Sequence, residues 1–345
     1  MFLSLTRCAM RPSRFSFLGS SWQSPAPDRA GRRQALRILA AGALGWSAPS
    51  WAKPEAMPVA LPRVLDFDWT DERRQRAVPA RLYLPPEDKG PLVVFSHGIG
   101  GSRVGYSYIG RHLAGHGVAS LHLQHVGSDR SLWGGNVLQS WDRWRRAISN
   151  TEAMARAQDV SFGLDRFAME GLPFHVSTIV AAGHSYGANT SLLVAGATLS
   201  EQLAMPPLRD PRVRAAALLS TPPFYGVSDL MATLAPIGLP SLHITTTQDV
   251  IKIPGFESPA SDRVAVFDAM AGPKALVVFA QGSHSIFTDR ITSADGPELN
   301  AVVKQGTRDV LLAFVQGVQA RQPIAGLLAA AKPHQGALAR FELKG

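Results

Sequence analysis

The sequence has a single cysteine, Cys8. A chain cut after Ala52 therefore has none, which excludes disulfides, thiolate metal sites and a thiol nucleophile. Without covalent staples, stability has to come from a core. A chain of 345 residues, 46% of them hydrophobic, is long enough to bury one large core. A membrane-length apolar run is missing too. The apolar stretch from Ala35 to Ala48 is short and rich in Gly and Ala. Basic clusters are equally scarce beyond the N-terminus. The formal net charge is +9, but residues 1–52 hold seven arginines and one aspartate, leaving 28 basic against 25 acidic side chains elsewhere. No basic run longer than a few residues occurs in that remainder, which argues against a nucleic-acid partner. No internal repeat is visible.

The N-terminal stretch reads as an address. "GRRQALRILAAGALGWSAPSWA" sets Arg32-Arg33 before the apolar run, with small residues at Ser50 and Ala52 where a signal peptidase cuts. It resembles a twin-arginine export signal over residues 1–52. The expectation is recognition by the twin-arginine export machinery, cleavage near Ala52, a periplasmic or secreted product, and no stable membrane insertion afterwards. Residues 53–62, "KPEAMPVALP", form a Pro-rich linker.

From residue 63 the pattern changes. "RVLDFDWTD" and "RQRAVPARLYLP" alternate apolar and polar residues around a charged turn, as an antiparallel edge pair would. "PLVVFSHG" (91–98) is continuously apolar and predicts a strand buried on both faces. Further strands are expected at 118–126, 176–185, 213–220, 240–247 and 274–281, with helices between them. One long helical stretch is expected through Trp141, Trp144 and "ISNTEAMARAQDVSFGLDRF", and a last helix near 297–318. This alternation predicts an α/β fold: an open, mostly parallel sheet with helices on both faces and an antiparallel N-terminal edge. The domain is expected over 63–318, with 319–345 as a C-terminal tail.

In such sheets the carboxyl ends of the strands carry the site. "AAGHSYGANT" (181–190) has the form Gly-x-Ser-x-Gly and falls between a strand and a helix. A sharp turn there would hold Ser185 Oγ clear of the sheet. A serine hydroxyl needs a base. Of ten histidines, His284 in "AQGSHSIFTD" follows the last strand and comes after the serine in chain order. His184 adjoins the serine, but an elbow turns its side chain into the packing. An acid is needed to orient the base. Asp249 in "TTTQDV" follows the penultimate strand directly, and Asp229, after the preceding strand, is the alternative. For an oxyanion, the donors expected are the backbone N–H of Tyr186 and that of Ile99 in "SHGIGGSR". Trp133 and Phe224 are candidate substrate-binding residues, and Trp141 and Trp144 share the covering segment. No cofactor or metal is called for.

Together "VVFSHGIGGSRVGYSYIGRHLAGHGVASLHLQHVGSD", "AQDVSFGLDRF", "AAGHSYGANT", "TTTQDV" and "GSHSIF" resemble the α/β-hydrolase superfamily. More closely, the chain resembles the predicted dienelactone hydrolases related to platelet-activating-factor acetylhydrolases, over about 63–314. The resemblance implies Ser185 as nucleophile, Asp249 as acid and His284 as base, with the Ile99 and Tyr186 amides as oxyanion hole. True dienelactone hydrolases use cysteine where this chain has Ser185, so the expected activity is that of a serine esterase acting on a small-molecule or lipid-like ester. The arrangement is also similar to secreted cutinase-like and polyester-degrading hydrolases. Other readings on the same residues are an acyltransferase, a peptidase, or a non-catalytic binding protein of this fold.

Overall fold

The computed structural model describes residues 61–134, 137–199, 205–224, 226–253 and 256–345. The expected export signal and nearly all of the linker lie outside these residues.

Among the described residues, nine strands form one sheet in the order β1-β2-β4-β3-β5-β6-β7-β10-β11. β1 (Arg63–Asp71) and β2 (Arg76–Leu84) are the antiparallel edge. β3 (Lys89–Ser96), β4 (Ala119–Leu123), β5 (His175–His184), β6 (Val213–Leu219), β7 (Ser241–Thr246) and β10 (Lys274–Phe279) run parallel. A separate two-stranded ribbon pairs β8 (Ile251–Ile253) with β9 (Phe256–Ser258). Of the central strands, β3 and β6 are largely apolar because each feeds two cores. In β3, Leu92 and Val94 enter one cluster while Val93 and Phe95 enter the other. In β6, Ala216 and Leu218 alternate with Ala215, Ala217 and Leu219 in the same way. That is the period-two pattern of a sheet covered on both faces.

Two sequence expectations need correction. After α1 (Ser107–Ala114) the long helical stretch is broken: α2 (Val137–Ala147) ends before Ser149, whose Oγ accepts the Glu152 N–H at 3.2 Å and starts α3 (Asn150–Met169). An N-cap serine supplies the acceptor that the first turn lacks, so it marks a new helix. The tail expected over 319–345 is part of the domain. Leu338–Lys344 forms β11, antiparallel to β10, and gives the sheet a second antiparallel edge. A register shift at Val278/Phe279 leaves Ala339 unpaired, so Leu338 and Phe341 both pack toward the core although three residues apart. The bulge hides the alternation that would have revealed the strand.

Candidate active site

The parallel strands deliver their chemistry at their carboxyl ends. Ser185 follows β5 and opens α4 (Tyr186–Ala195) with φ 55° and ψ −122°. A non-glycine residue held at positive φ is strained and persists only where its surroundings impose it. Here they do. A Cβ at Gly183 would lie 2.3 Å from the Gly187 backbone, and one at Gly187 would lie 1.9 Å from the Ser96 carbonyl oxygen. Only glycine lets the turn close on itself and on β3. α4 is buried from Gly187 to Ala195, so the elbow rests on a helix fixed inside the domain.

His284 opens a short 3-10 turn, His284–Phe287, after β10. Its Nε2 is 2.9 Å from Ser185 Oγ and its Nδ1 is 2.7 Å from Asp249 Oδ1. A carboxylate only accepts, so Nδ1 carries the hydrogen and Nε2 offers its lone pair to the serine hydroxyl. Asp249 follows β7 and is fully buried. Burial alone would raise its carboxyl. The hydrogen bond and charge of His284, the Arg263 guanidinium and the Ser220 hydroxyl outweigh that and hold it well below the usual carboxylate range. Asp229 is elsewhere: its carboxylate caps the helix Leu230–Leu234 by accepting the Ala232 N–H at 2.9 Å.

Sequence reasoning missed three neighbours of Asp249. Ser220, at the end of β6 with φ 56°, donates to Asp249 Oδ2, and its Oγ is 2.7 Å from His284 Nδ1. Thr245 Oγ1 donates to the same carboxylate oxygen at 2.7 Å. Arg263 Nε approaches Oδ1 at 3.6 Å, with its side chain only 1% exposed. The strand-end rule that found Asp249 points equally to Ser220, but nothing in the sequence marks this serine among its many equals.

The loop after β3 faces the elbow. A Cβ at Gly98 would lie 3.3 Å from Ser185 Cβ, so the loop passes beside the serine with too little space for a side chain. His97 Nδ1 donates to the Gly98 carbonyl at 2.7 Å, Gly101 N–H donates to the same carbonyl, and Gly100 N–H donates to Ser128 O at 2.8 Å. Among the described residues the Ile99 N–H has no such acceptor. The Tyr186 N–H, at the start of α4, has none either. Free donors beside a serine hydroxyl are an arrangement that could receive a developing oxyanion.

His184 turns away from Ser185 Oγ, as an elbow demands. Its Nε2 is 3.0 Å from the His284 carbonyl, which can only accept, so Nε2 carries the hydrogen. Nδ1 then accepts from the Tyr106 hydroxyl at 2.9 Å, and Tyr106 in turn accepts the Gly98 N–H at 3.2 Å. Burial, reinforced by the neighbouring His284, pushes His184 down to about 3, so it stays neutral. A second Ser–His–Asp line lies beneath the loop. Ser96 Oγ is 3.0 Å from His125 Nε2, and His125 Nδ1 is 3.0 Å from Asp159 Oδ2, all three side chains sealed from solvent.

Trp133 is 56% exposed; its Nε1 donates to Gly100 O at 3.0 Å and its ring meets Trp144 edge-on at 5.6 Å. It therefore roofs the loop that carries Ile99. Trp141 is exposed, and Phe224 is buried in the same apolar cluster as Leu192 and Val194. Among the described residues no group of three or more His, Cys, Asp or Glu is arranged to hold a metal ion, and no helix is long and apolar enough to cross a membrane.

Residues 71–140 match the family model described as platelet-activating factor acetylhydrolase, isoform II. The match covers the loop of Ile99 and Trp133 but stops before Ser185. Among solved structures, the acylaminoacyl peptidase of Pyrococcus horikoshii superposes with a TM-score of 0.50 at 12% identity, over 76% of this chain and 42% of that one. The fold is that of the α/β-hydrolases. At this identity the likeness carries the fold alone, and the chain spans less than half the peptidase's length. A comparison with curated proteins returned no significant match. The family match and the α/β-hydrolase fold together support a serine hydrolase of this type.

Proposed function

We propose that this α/β-hydrolase is an exported serine esterase that cleaves carboxylic esters through an acyl-enzyme on Ser185. The observation that carries the reading is the continuous line from Asp249 through His284 to Ser185 Oγ, at 2.7 and 2.9 Å. In the proposed cycle His284 takes the serine proton as Oγ attacks the ester carbonyl. The oxyanion rests on the Ile99 and Tyr186 N–H groups. His284 then protonates the leaving alcohol, and a water activated by the same imidazole clears the acyl group. The substrate is a small-molecule or lipid-like ester, and Trp133 shapes the approach over the Ile99 loop. Export rests on the Arg32-Arg33 signal, with a periplasmic or secreted destination.

The test is hydrolysis of short and medium p-nitrophenyl esters by the purified protein, beside Ser185→Ala and after fluorophosphonate treatment. Turnover abolished by both changes is expected, with the label on Ser185. Matching anilides are the second arm: faster anilide than ester cleavage would replace the esterase reading with a peptidase. A folded protein that neither turns over nor labels would be a binding protein instead.

A further inference from the structure

Arg156 is fully buried in α3. Its guanidinium reaches both segments that carry the unpartnered N–H groups beside Ser185. On the loop side, Nη2 donates to the His97 carbonyl, two residues before Ile99. Nη1 donates to Ser128 Oγ at 2.8 Å, and the carbonyl of that same Ser128 holds Gly100 N–H. On the elbow side, Nε donates to Thr190 Oγ1 at 2.9 Å. The Thr190 hydroxyl spends its own hydrogen on the Tyr186 carbonyl at 3.1 Å, so the bond order there is fixed. The guanidinium also lies over the Tyr186 ring, 4.4 Å from its centroid.

All three of these hydrogen bonds end on neutral acceptors. The nearby carboxylates are engaged by other groups: Glu152 accepts from Arg76 and Ser128, and Asp159 from Arg76 and His125. A buried cation without a direct carboxylate partner is an expensive way to fill space, which an apolar side chain would fill more cheaply. A planar fork whose three nitrogens face three different acceptors has a geometric use that lysine cannot reproduce.

We propose that Arg156 is a positioning residue that clamps the Ile99 loop and the first turn of α4 together, setting the spacing of the two oxyanion donors. The inference rests on the esterase reading above. It predicts a specific kinetic signature. The oxyanion is absent from the bound ester and forms only in the tetrahedral intermediate and its flanking transition states, so loosening its donors lowers kcat and leaves ground-state binding intact.

Arg156→Lys, Arg156→Met and Thr190→Val are measured with p-nitrophenyl butyrate, with kcat expressed per site titrated by fluorophosphonate. A trifluoromethyl ketone, which forms a tetrahedral adduct, reports oxyanion binding directly. Arg156→Lys and Arg156→Met are expected to lose about 10- to 100-fold in kcat per titrated site with little change in KM, and to lose ketone affinity in proportion. Lysine is not expected to rescue. Thr190→Val, which keeps the buried cation but removes one acceptor, is expected to lose roughly threefold in kcat, and it decides the matter if the Arg156 variants fail to fold. Unchanged kcat per titrated site in folded Arg156→Lys, or in Thr190→Val, overturns the clamp. A purely structural role would lower the titratable fraction and leave kcat per site alone. Wild-type protein with neither turnover nor labelling would instead remove the esterase reading and this inference with it.

Discussion

Replacing Gly187 with alanine tests whether the elbow and the loop after β3 must touch for turnover. An ideal Cβ at this position falls 1.9 Å from the Ser96 carbonyl oxygen, 2.6 Å from its carbon and 2.8 Å from the His97 oxygen. Ordinary contact begins at 3.4 Å, so the two backbones have to part by about 1.5 Å. All three obstructing atoms are backbone, and no rotamer change relieves them. Overpacking of this kind costs roughly 1–3 kcal/mol of stability. The kinetic cost is larger, because a misplacement of about 1 Å among reacting groups is worth on the order of 100-fold. The expectation is a kcat on p-nitrophenyl butyrate lowered about 100-fold per titratable site, with a moderate fall in the urea midpoint. Gly238→Ala is the control, since nothing lies within 4 Å of its added Cβ. If Gly187→Ala turns over within about threefold of wild type, the close approach is incidental and the reasoning from glycine to site geometry is wrong.

Three further outcomes are expected. Asp249→Asn should lower kcat by about 10³- to 10⁴-fold by stabilising the wrong tautomer of His284; a loss under about tenfold would assign the acid elsewhere. Ser220→Ala should cost roughly 5- to 20-fold in kcat with KM unchanged, since its hydroxyl braces both Asp249 and His284 Nδ1, and an unaffected kcat would make that hydroxyl dispensable. Stability should fall in mild acid. Burial holds His184 and His243 down at about 3 and His122 at about 4, against 6.5 when unfolded. The unfolded chain therefore takes up protons first, so this stability is intact above pH 6.5 and drains as pH falls toward the folded values. These three alone predict a loss of about 3–4 kcal/mol between pH 6 and pH 5, and His97, His112 and His125, held down by burial as well, add to it; the loss is read as a falling urea midpoint, and a flat midpoint would contradict it.

Much of the architecture was legible because it obeys short-range rules. Buried parallel strands such as β3 and β10 announce themselves by apolar runs, and Ser185, Asp249 and His284 each stand in the segment that follows a parallel strand. What escaped depends on contacts distant in sequence. β11 pairs across a bulge that breaks its alternation, so "LARFELK" looks patternless until β10 is beside it. Ser149 stops one helix and starts another through a single side-chain acceptor, a weak mark inside a long helical composition. Arg156 looks like any surface arginine within "MARAQDV". Only the folding of α3 against the β3 loop and α4 gives its guanidinium three acceptors, and no local pattern encodes that.

The sealed line of Ser96, His125 and Asp159 has a bearing on how active sites are recognised. A template made of three side chains and two distances fits this protein twice, at 2.9 and 2.7 Å in one place and 3.0 and 3.0 Å in the other. The two copies differ in their settings. Ser185 is held at positive φ on a helix start, with free N–H groups beside it and an imidazole that reaches the surface. Ser96 ends an ordinary strand with no room for a substrate. The same trio is sealed in one place and open beside free N–H groups in the other, so a search for hydrolases needs to encode the vacancy around the serine along with the residues that touch it.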